Sequence, residues 1–387
     1  MIRFIVFLVF AIVLLLFMNL YLYKRYKRLA KSYNLKKIYV HVIPICLCFG
    51  LVLFFSSFFL QKWIYQYKSL TILIKYISSF YIGIVLYSLL FFLIGDSIGY
   101  LGSSLKISNK IKICFSKIYA DGLIVPVLAA MITIYAFYNA VNFKITTYEI
   151  SINKSSSISS LDAIMISDLH VGTSIDKNEI DKIKAMIETL SPQILFICGD
   201  FYDHSSYEQI MKYSAAKLGS IKTEYGTYFV TGNHEYYLKN MSKILSYFDD
   251  TETIVLQDEM VIIKDINLVG RKDLHARERA PLSKILGEAN KNKPIILLDH
   301  QPNTIDESIN NGVDLQLSGH THNGQLFPFN YIAGLANHTH YGMVESGNFK
   351  AVVSSGIGTW MYPIRTGSAS EIVRIKINFL KEQINDK

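Results

Sequence analysis

Seven side chains in the second half of the chain are of types that bind metal ions: Asp168, His170, Asp200, Asn233, His300, His320 and His322. Carboxylate, imidazole and amide oxygen suit hard or borderline divalent cations. Each residue belongs to a short polar tip: Ser167-Asp168-Leu169-His170, Gly199-Asp200, Thr231-Gly232-Asn233-His234, Asp299-His300 and Ser318-Gly319-His320-Thr321-His322. Singly these are weak signals, because a lone Asp-x-His or Gly-Asn-His is common. Five in succession, each behind an apolar run, point to one metal-binding constellation. Asp168 and His170 are two apart, as are His320 and His322, so on a strand end each pair would project to one side. Gly199 before Asp200 and Gly232 before Asn233 leave room for a tight turn and close approach.

The apolar runs that must position these tips are Ala163–Ile166, Ile194–Cys198, Tyr228–Val230, Ile295–Leu298 and Leu315–Leu317. Helical patterns such as Lys177–Leu190 and Tyr207–Leu218 lie between them. Strand–helix alternation predicts an α/β layered fold, in which functional groups collect on loops at the carboxyl ends of strands. All five tips are thereby expected on one rim. Lys350–Ser354 and Glu371–Ile377 read as further strands. Lys144–Asn153 alternates as a strand does, and the serine-rich Ser155–Ser160 reads as a turn or short linker.

The first third differs in kind. Four apolar runs, about Phe4–Tyr23, Ile38–Leu60, Tyr76–Ile94 and Leu123–Val141, approach the ~20 residues that span a bilayer. The first is too long for a cleaved signal peptide and lacks a small-residue cleavage site. The predicted organisation is a four-helix transmembrane domain over 1–143 and a metal-binding domain over 144–387. Hydrophobic residues make up 51% of the 387 and the net charge is +8. Residues 1–143 hold 15 Lys and Arg against two Asp and Glu, whereas 144–387 hold 24 against 29. The basic excess thus belongs to the apolar third, which fits membrane topology and gives no reason to expect a nucleic-acid partner. Basic residues concentrate after the first and third runs, at Lys24–Lys37 and Lys106–Lys117. The positive-inside rule then puts those loops in the cytoplasm and everything after the fourth run outside, so the chain reads as a multi-pass cell-membrane protein whose second domain, 144–387, is extracytoplasmic. His41, Pro44 and Asp121 lie near the ends of runs, where interfacial residues are common. Four cysteines, Cys46, Cys48, Cys114 and Cys198, offer no disulfide framework.

Ser167-Asp168-Leu169-His170, Gly199-Asp200-Phe201-Tyr202-Asp203, Gly232-Asn233-His234-Glu235, Asp299-His300-Gln301-Pro302 and Gly319-His320-Thr321-His322 resemble the five signature blocks of calcineurin-like metallophosphoesterases, over roughly residues 160–377. The resemblance extends to the membrane-associated bacterial branch through Gly319–Gln325 and Ser355-Gly356-Ile357-Gly358…Pro363-Ile364-Arg365. Asn323 stands where that branch usually has glycine, and Asn tolerates positive φ better than most residues. Glu235 replaces the commoner Asp.

The resemblance implies a β-sandwich of two mixed sheets flanked by helices. It implies two divalent metal ions (Mn, Fe or Zn), one held by Asp168, His170, Asp200 and His322, the other by Asp200, Asn233, His300 and His320. Such a pair lowers the pKa of a bridging water and neutralises phosphate oxygens, which suits hydrolysis of a phosphate ester. His234 would serve the leaving group, a structural turn histidine being the alternative. Asp203 would orient a ligand. Arg365 is a candidate phosphate clamp, or a salt-bridge residue. Arg271 and Lys272 could face an anionic substrate or lie in a solvated loop, and His204, His275, His338 and His340 read as loop residues. The membrane domain points to a phosphodiester or pyrophosphate near a bilayer, lipid-linked substrates included. A non-catalytic scaffold or receptor on the same fold is the competing class, and missing ligands would mark it. None is missing.

Overall fold

The computed structural model describes residues 2–381, apart from 35, 60–67, 106–107, 109, 112–114, 121–122, 173, 205, 239 and 337–339. Asp121, Cys114 and His338 therefore lie outside the described residues. The chain divides into two compact units, Met1–Phe137 and Tyr138–Lys387.

Four helices stand where the four apolar runs were read: α1 (Ile2–Ser32), α2 (Lys37–Phe59), α3 (Lys68–Ser104) and α4 (Ile124–Ala140), the last ending within the second unit. Among the described residues, Ser69–Ser104 of α3 is long and apolar enough to cross a membrane, with mean hydropathy 2.2, whereas His41–Ser57 and Ile124–Ala140 are apolar but shorter. Among the described residues, one spanning candidate thus stands where the sequence offered four. α4 has 17 residues, α2 has 23, and the second half of α1 carries Lys24, Arg25, Lys27, Arg28 and Lys31. Leu22, Leu47, Tyr81, Val85, Phe92 and Val125 form the core of this unit. Arg25 of α1 pairs with Asp96 of α3, which also accepts from Tyr21 Oη at 2.7 Å.

The second unit is built on two six-stranded sheets. The first runs β1 (Phe143–Ser156), β12 (Ser370–Lys381), β2 (Ser160–Ile166), β3 (Ile194–Cys198), β4 (Thr227–Val230), β5 (Thr253–Val255). The second runs β10 (Gly342–Ser346), β11 (Phe349–Val353), β9 (Leu315–Ser318), β8 (Ile295–Leu298), β7 (Ile266–Gly270), β6 (Glu259–Ile263). Neighbours β2, β3, β4 and β5 are parallel, as are β7, β8, β9 and β11; β12 meets β2 antiparallel. The fold is thus mixed α/β with two sheets.

Strand alternation explains the layers. In β2, Ala163 and Met165 point between the sheets, where Phe196, Cys198, Leu298 and Leu317 also lie. Ile164 and Ile166 point the other way, against Ile180, Ile183 and Ile187 of α5 (Lys177–Leu190). Leu282, Leu286 and Ile305 cover the outer face of the second sheet. With both faces buried, these strands read as unbroken apolar runs. Each fully buried aliphatic side chain contributes ~1.5–3 kcal/mol. Cys198 is a small core residue.

Candidate metal centre

Parallel pairing sets the site. Ile166 lies opposite Ile197 and Cys198 opposite Val230, so β2, β3 and β4 end near one level; Leu298 opposite Leu317 does the same for β8 and β9. Backbone bonds continue past the strand ends: Asp168 N–H donates to Gly199 O and His170 N–H to Asp200 O, each at 3.0 Å, and Gly319 N–H donates to His300 O at 2.9 Å.

The expected strand alternation does not aim the ligands. β2 stops at Ile166 and β9 at Ser318, before the paired residues. Asp168, His170, Asp200, His320 and His322 instead have φ of 53°, 44°, 51°, 73° and 49°. Left-handed backbone costs an L-residue roughly 1–2 kcal/mol, and such strain clusters at functional sites. Asn323 adopts φ 46°, in keeping with the tolerance of asparagine. Two glycines permit the crowding. Gly199 has φ +82°, and a Cβ there would come 2.5 Å from His300 Nδ1; a Cβ on Gly232 would come 2.3 Å from Asp200 Oδ1.

The structure gathers the titratable candidates into sets whose ligand atoms lie within 4.8 Å of one another: Asp168, His170 and His322; Asp200, His300 and His320. His170, Asp203 and His234 form a third. His170 Nε2 faces His322 Nε2 at 3.1 Å, and His322 Nε2 lies 3.5 Å from Asp168 Oδ1. Asp200 Oδ2 sits between the first two sets, 3.1 Å from His300 Nε2 and 3.8 Å from His170 Nε2.

These atoms fit a cation. His300 Nδ1 is 2.8 Å from Cys198 O; a carbonyl can only accept, so Nδ1 donates and Nε2 is turned toward Asp200. His170 Nδ1 and Asn233 Oδ1 are buried without a protein hydrogen-bond partner, an arrangement that is otherwise rare and expensive. Burial, and then the neighbouring His234, hold His170 down to about 4, leaving it neutral and able to ligate. Burial pushes the Asp200 carboxyl up, but His300, His170 and His234 outweigh it and keep the group ionised. Asp200 in turn raises His300 despite its burial.

His234 is tied to the cluster by its backbone N–H, which donates to Asp200 Oδ1 at 2.8 Å, and its ring lies 4.6 Å from that of His170. Asp203 Oδ2 is 3.8 Å from His170 Nδ1, beyond hydrogen-bond length. Arg365 does not face outward as a clamp would. It is fully buried; Nη1 donates to Ser355 O, Ser368 Oγ and Ala369 O, and Nη2 to Gly358 O, 3.4 Å from His322 Nδ1. Its place is behind His322. Arg271 also turns inward: it is 3% exposed and donates to Glu307 at 2.6 Å and Ala280 O at 2.9 Å. Lys272 leans toward Asp258, 3.9 Å away.

Two residues to which the sequence reading gave no role support the site. Glu235 is fully buried and accepts N–H bonds from Asp200 at 3.1 Å, Tyr202 at 2.9 Å and Gly232 at 2.7 Å. The signal was an acid three residues after Gly232, at the start of a short helix. Asp299 is buried between Arg279 and Arg271, which lies 3.7 Å away, and accepts from Thr304 Oγ1 at 2.7 Å. It fixes the turn that carries His300.

A family model described as calcineurin-like phosphoesterase matches residues 163–324. An uncharacterized metallophosphoesterase of Campylobacter jejuni is 31% identical over 264 residues, 66% of this chain and 70% of that protein. One from Helicobacter pylori is 38% identical over 223 residues, 56% of this chain and 60% of its own length. A bovine "transmembrane protein with metallophosphoesterase domain" is 32% identical over 275 residues, 65% and 62% respectively. The chain thus spans about 60% of the length of the Helicobacter and bovine relatives.

Proposed function

The chain belongs to the calcineurin-like metallophosphoesterase family, and on that premise we propose that it is a membrane-anchored phosphoesterase working with two divalent cations. The observation that carries the reading is Asp200 Oδ2, which lies between two sets of candidate ligands, 3.1 Å from His300 Nε2 and 3.8 Å from His170 Nε2. Asp168, His170, Asp200 and His322 would hold one cation. Asp200, Asn233, His300 and His320 would hold the other. This donor set accepts Mn, Fe or Zn.

When bound, the cations lower the pKa of water and neutralise phosphate oxygens. The chain's own residues supply orientation and a proton. The His300–Cys198 carbonyl bond fixes one imidazole. Arg365 backs His322, and Asp203 stands behind His170. His234, pinned to Asp200 through its backbone, would give a proton to the leaving-group oxygen as the P–O bond breaks. The substrate is a phosphodiester or pyrophosphate, with lipid-linked esters included. Supporting a site near a bilayer are the apolar α3 and relatives named as transmembrane proteins with a metallophosphoesterase domain. Residues 1–143 would be the multi-pass anchor and 144–387 the catalytic domain, held outside the cytoplasm.

The test is hydrolysis of bis(p-nitrophenyl) phosphate and p-nitrophenyl phosphate by the full chain, with Mn²⁺ and after chelation. Turnover should need the metal, vanish in Asp200→Asn, and fall by about 10²–10⁴ in His234→Ala. Two bound cations without turnover of either ester would sink the general phosphoesterase reading and leave a metal-binding scaffold. A reporter fused to the C-terminus should be active only outside the cytoplasm.

A further inference from the structure

A second polar group lies beside the ligand cluster. Asp273, in the loop after β7, is fully buried. Its Oδ1 accepts from the His275 backbone N–H at 2.8 Å and lies 2.9 Å from His275 Nδ1. Gln301 Nε2 donates to both its oxygens, at 3.0 and 2.8 Å. A carboxylate only accepts, so Nδ1 carries the proton and Nε2 is left to accept. Tyr237 Oη, 3.2 Å from Nε2, is its donor. The Tyr237 ring lies 5.4 Å from that of His234 and stacks on His204 at 5.9 Å.

Two chains of contact therefore leave the ligands and meet. One runs from His170 through His234 to Tyr237. The other runs from Gln301, next to His300, through Asp273 to His275. A simple loop tie would need neither end of this chain at the surface, yet Tyr237 is 44% exposed and the His275 side chain 45%. A buried carboxylate with three donors instead fixes one orientation of two half-exposed rings, on the side of the cluster where His234 stands. Support of that kind is what a binding wall requires.

We propose that Tyr237, oriented by His275 and Asp273, lines the subsite for the alcohol half of the phosphate ester and favours an alcohol that carries a ring, aryl or nucleoside. The inference rests on the phosphoesterase reading and on the place of His234 at the leaving group. Tyr237 offers ring surface for edge or offset contact. Its hydroxyl hydrogen is committed to His275, so the oxygen is free to accept from a donor on the substrate ring.

The test is calorimetric titration of benzylphosphonate and ethylphosphonate into the full chain loaded with Mn²⁺. A methylene replaces the bridging oxygen in both, so neither turns over, and they differ in the ring. Benzylphosphonate should bind about tenfold more tightly, the size of a good aromatic contact. Tyr237→Ala should remove the difference by weakening the benzyl probe alone. Tyr237→Phe should keep most of it, and Asp273→Asn should reduce it. Equal affinity of the wild type for both probes overturns the subsite, as does a Tyr237→Ala variant that weakens both alike. Turnover of bis(p-nitrophenyl) phosphate by the same preparations separates the two readings. Ring preference without turnover faults the hydrolase, and turnover without ring preference faults the subsite.

Discussion

Glu235 takes backbone N–H donors from Asp200, Tyr202 and Gly232, so one carboxylate ties together the turns that end β3 and β4. Removing it strands three donors in the interior, each worth ~1–3 kcal/mol when unsatisfied. Glu235→Ala should lower the melting temperature and weaken metal binding by about 10- to 100-fold, as loss of a supporting contact does elsewhere; a metal titration beside a thermal melt checks both. Glu235 also sets a pH dependence. Burial and the Asp200 charge push its carboxyl up to about 8 from the usual 4.5, against two of its N–H donors. Between those values the unfolded chain has released the proton while the metal-free fold retains it. The metal-free fold should therefore lose stability as pH rises from 4.5 towards 8, and Glu235→Gln should flatten that slope. Urea melts of the chelated protein across this range give the answer. The His300–Asp200 pair works in the same sense, since a cation takes the place of the proton that Asp200 holds on His300. Metal binding at pH 7 should accordingly release protons, visible as a buffer-dependent enthalpy.

At the scale of elements, the turns after the strands matter more than the strands. β3 delivers Asp200 through Gly199, whose φ of +82° and closeness to His300 leave no room for a side chain. Gly199→Ala combines a strained backbone with a collision, and should destabilise by well over ~1 kcal/mol while weakening the metal site. Asp176→Ala makes the contrast. It removes the capping box at the start of α5, where Asp176 and Glu179 exchange bonds with each other's backbone. About 1 kcal/mol should be lost there with metal binding unchanged. Denaturant midpoints and metal titrations of the two variants, side by side, decide whether the centre is sensitive to its own turn or merely to global stability.

At the scale of the molecule, the second unit begins at Tyr138, six residues before the boundary expected from sequence. Asn139 Nδ2 donates to Arg365 O at 3.1 Å and Ser368 O at 2.9 Å, and Ser370 Oγ donates to Ala140 O at 2.9 Å. β1 pairs with β12 in parallel from Phe143 to Ser156, and Ile150 and Ile152 enter the core between the sheets. Residues 138–387 should therefore form a folded, metal-binding fragment with one cooperative melt. A fragment starting at 157 should aggregate, because it bares the edge of β12 and opens the core. Gel filtration and circular dichroism of the two fragments distinguish them.

Periodicity and polar tips were enough to place β3 and β8 to the residue and to name the turns that carry the candidate ligands, because both faces of these strands are buried and leave unbroken apolar runs. The short β10 was not legible, for it is largely exposed and paired on one side to β11 alone. What aims the ligands was not legible either. Left-handed backbone at Asp168, His170, Asp200, His320 and His322 is imposed by bonds and close approaches between segments far apart in the chain. The direction of Arg365 and Arg271, and the meeting of Asp273, His275 and Tyr237, likewise depend on which groups are buried together. A linear sequence carries residue type and period; the sign of φ at a crowded turn, and the partner of a buried charge, are settled by packing between the two sheets.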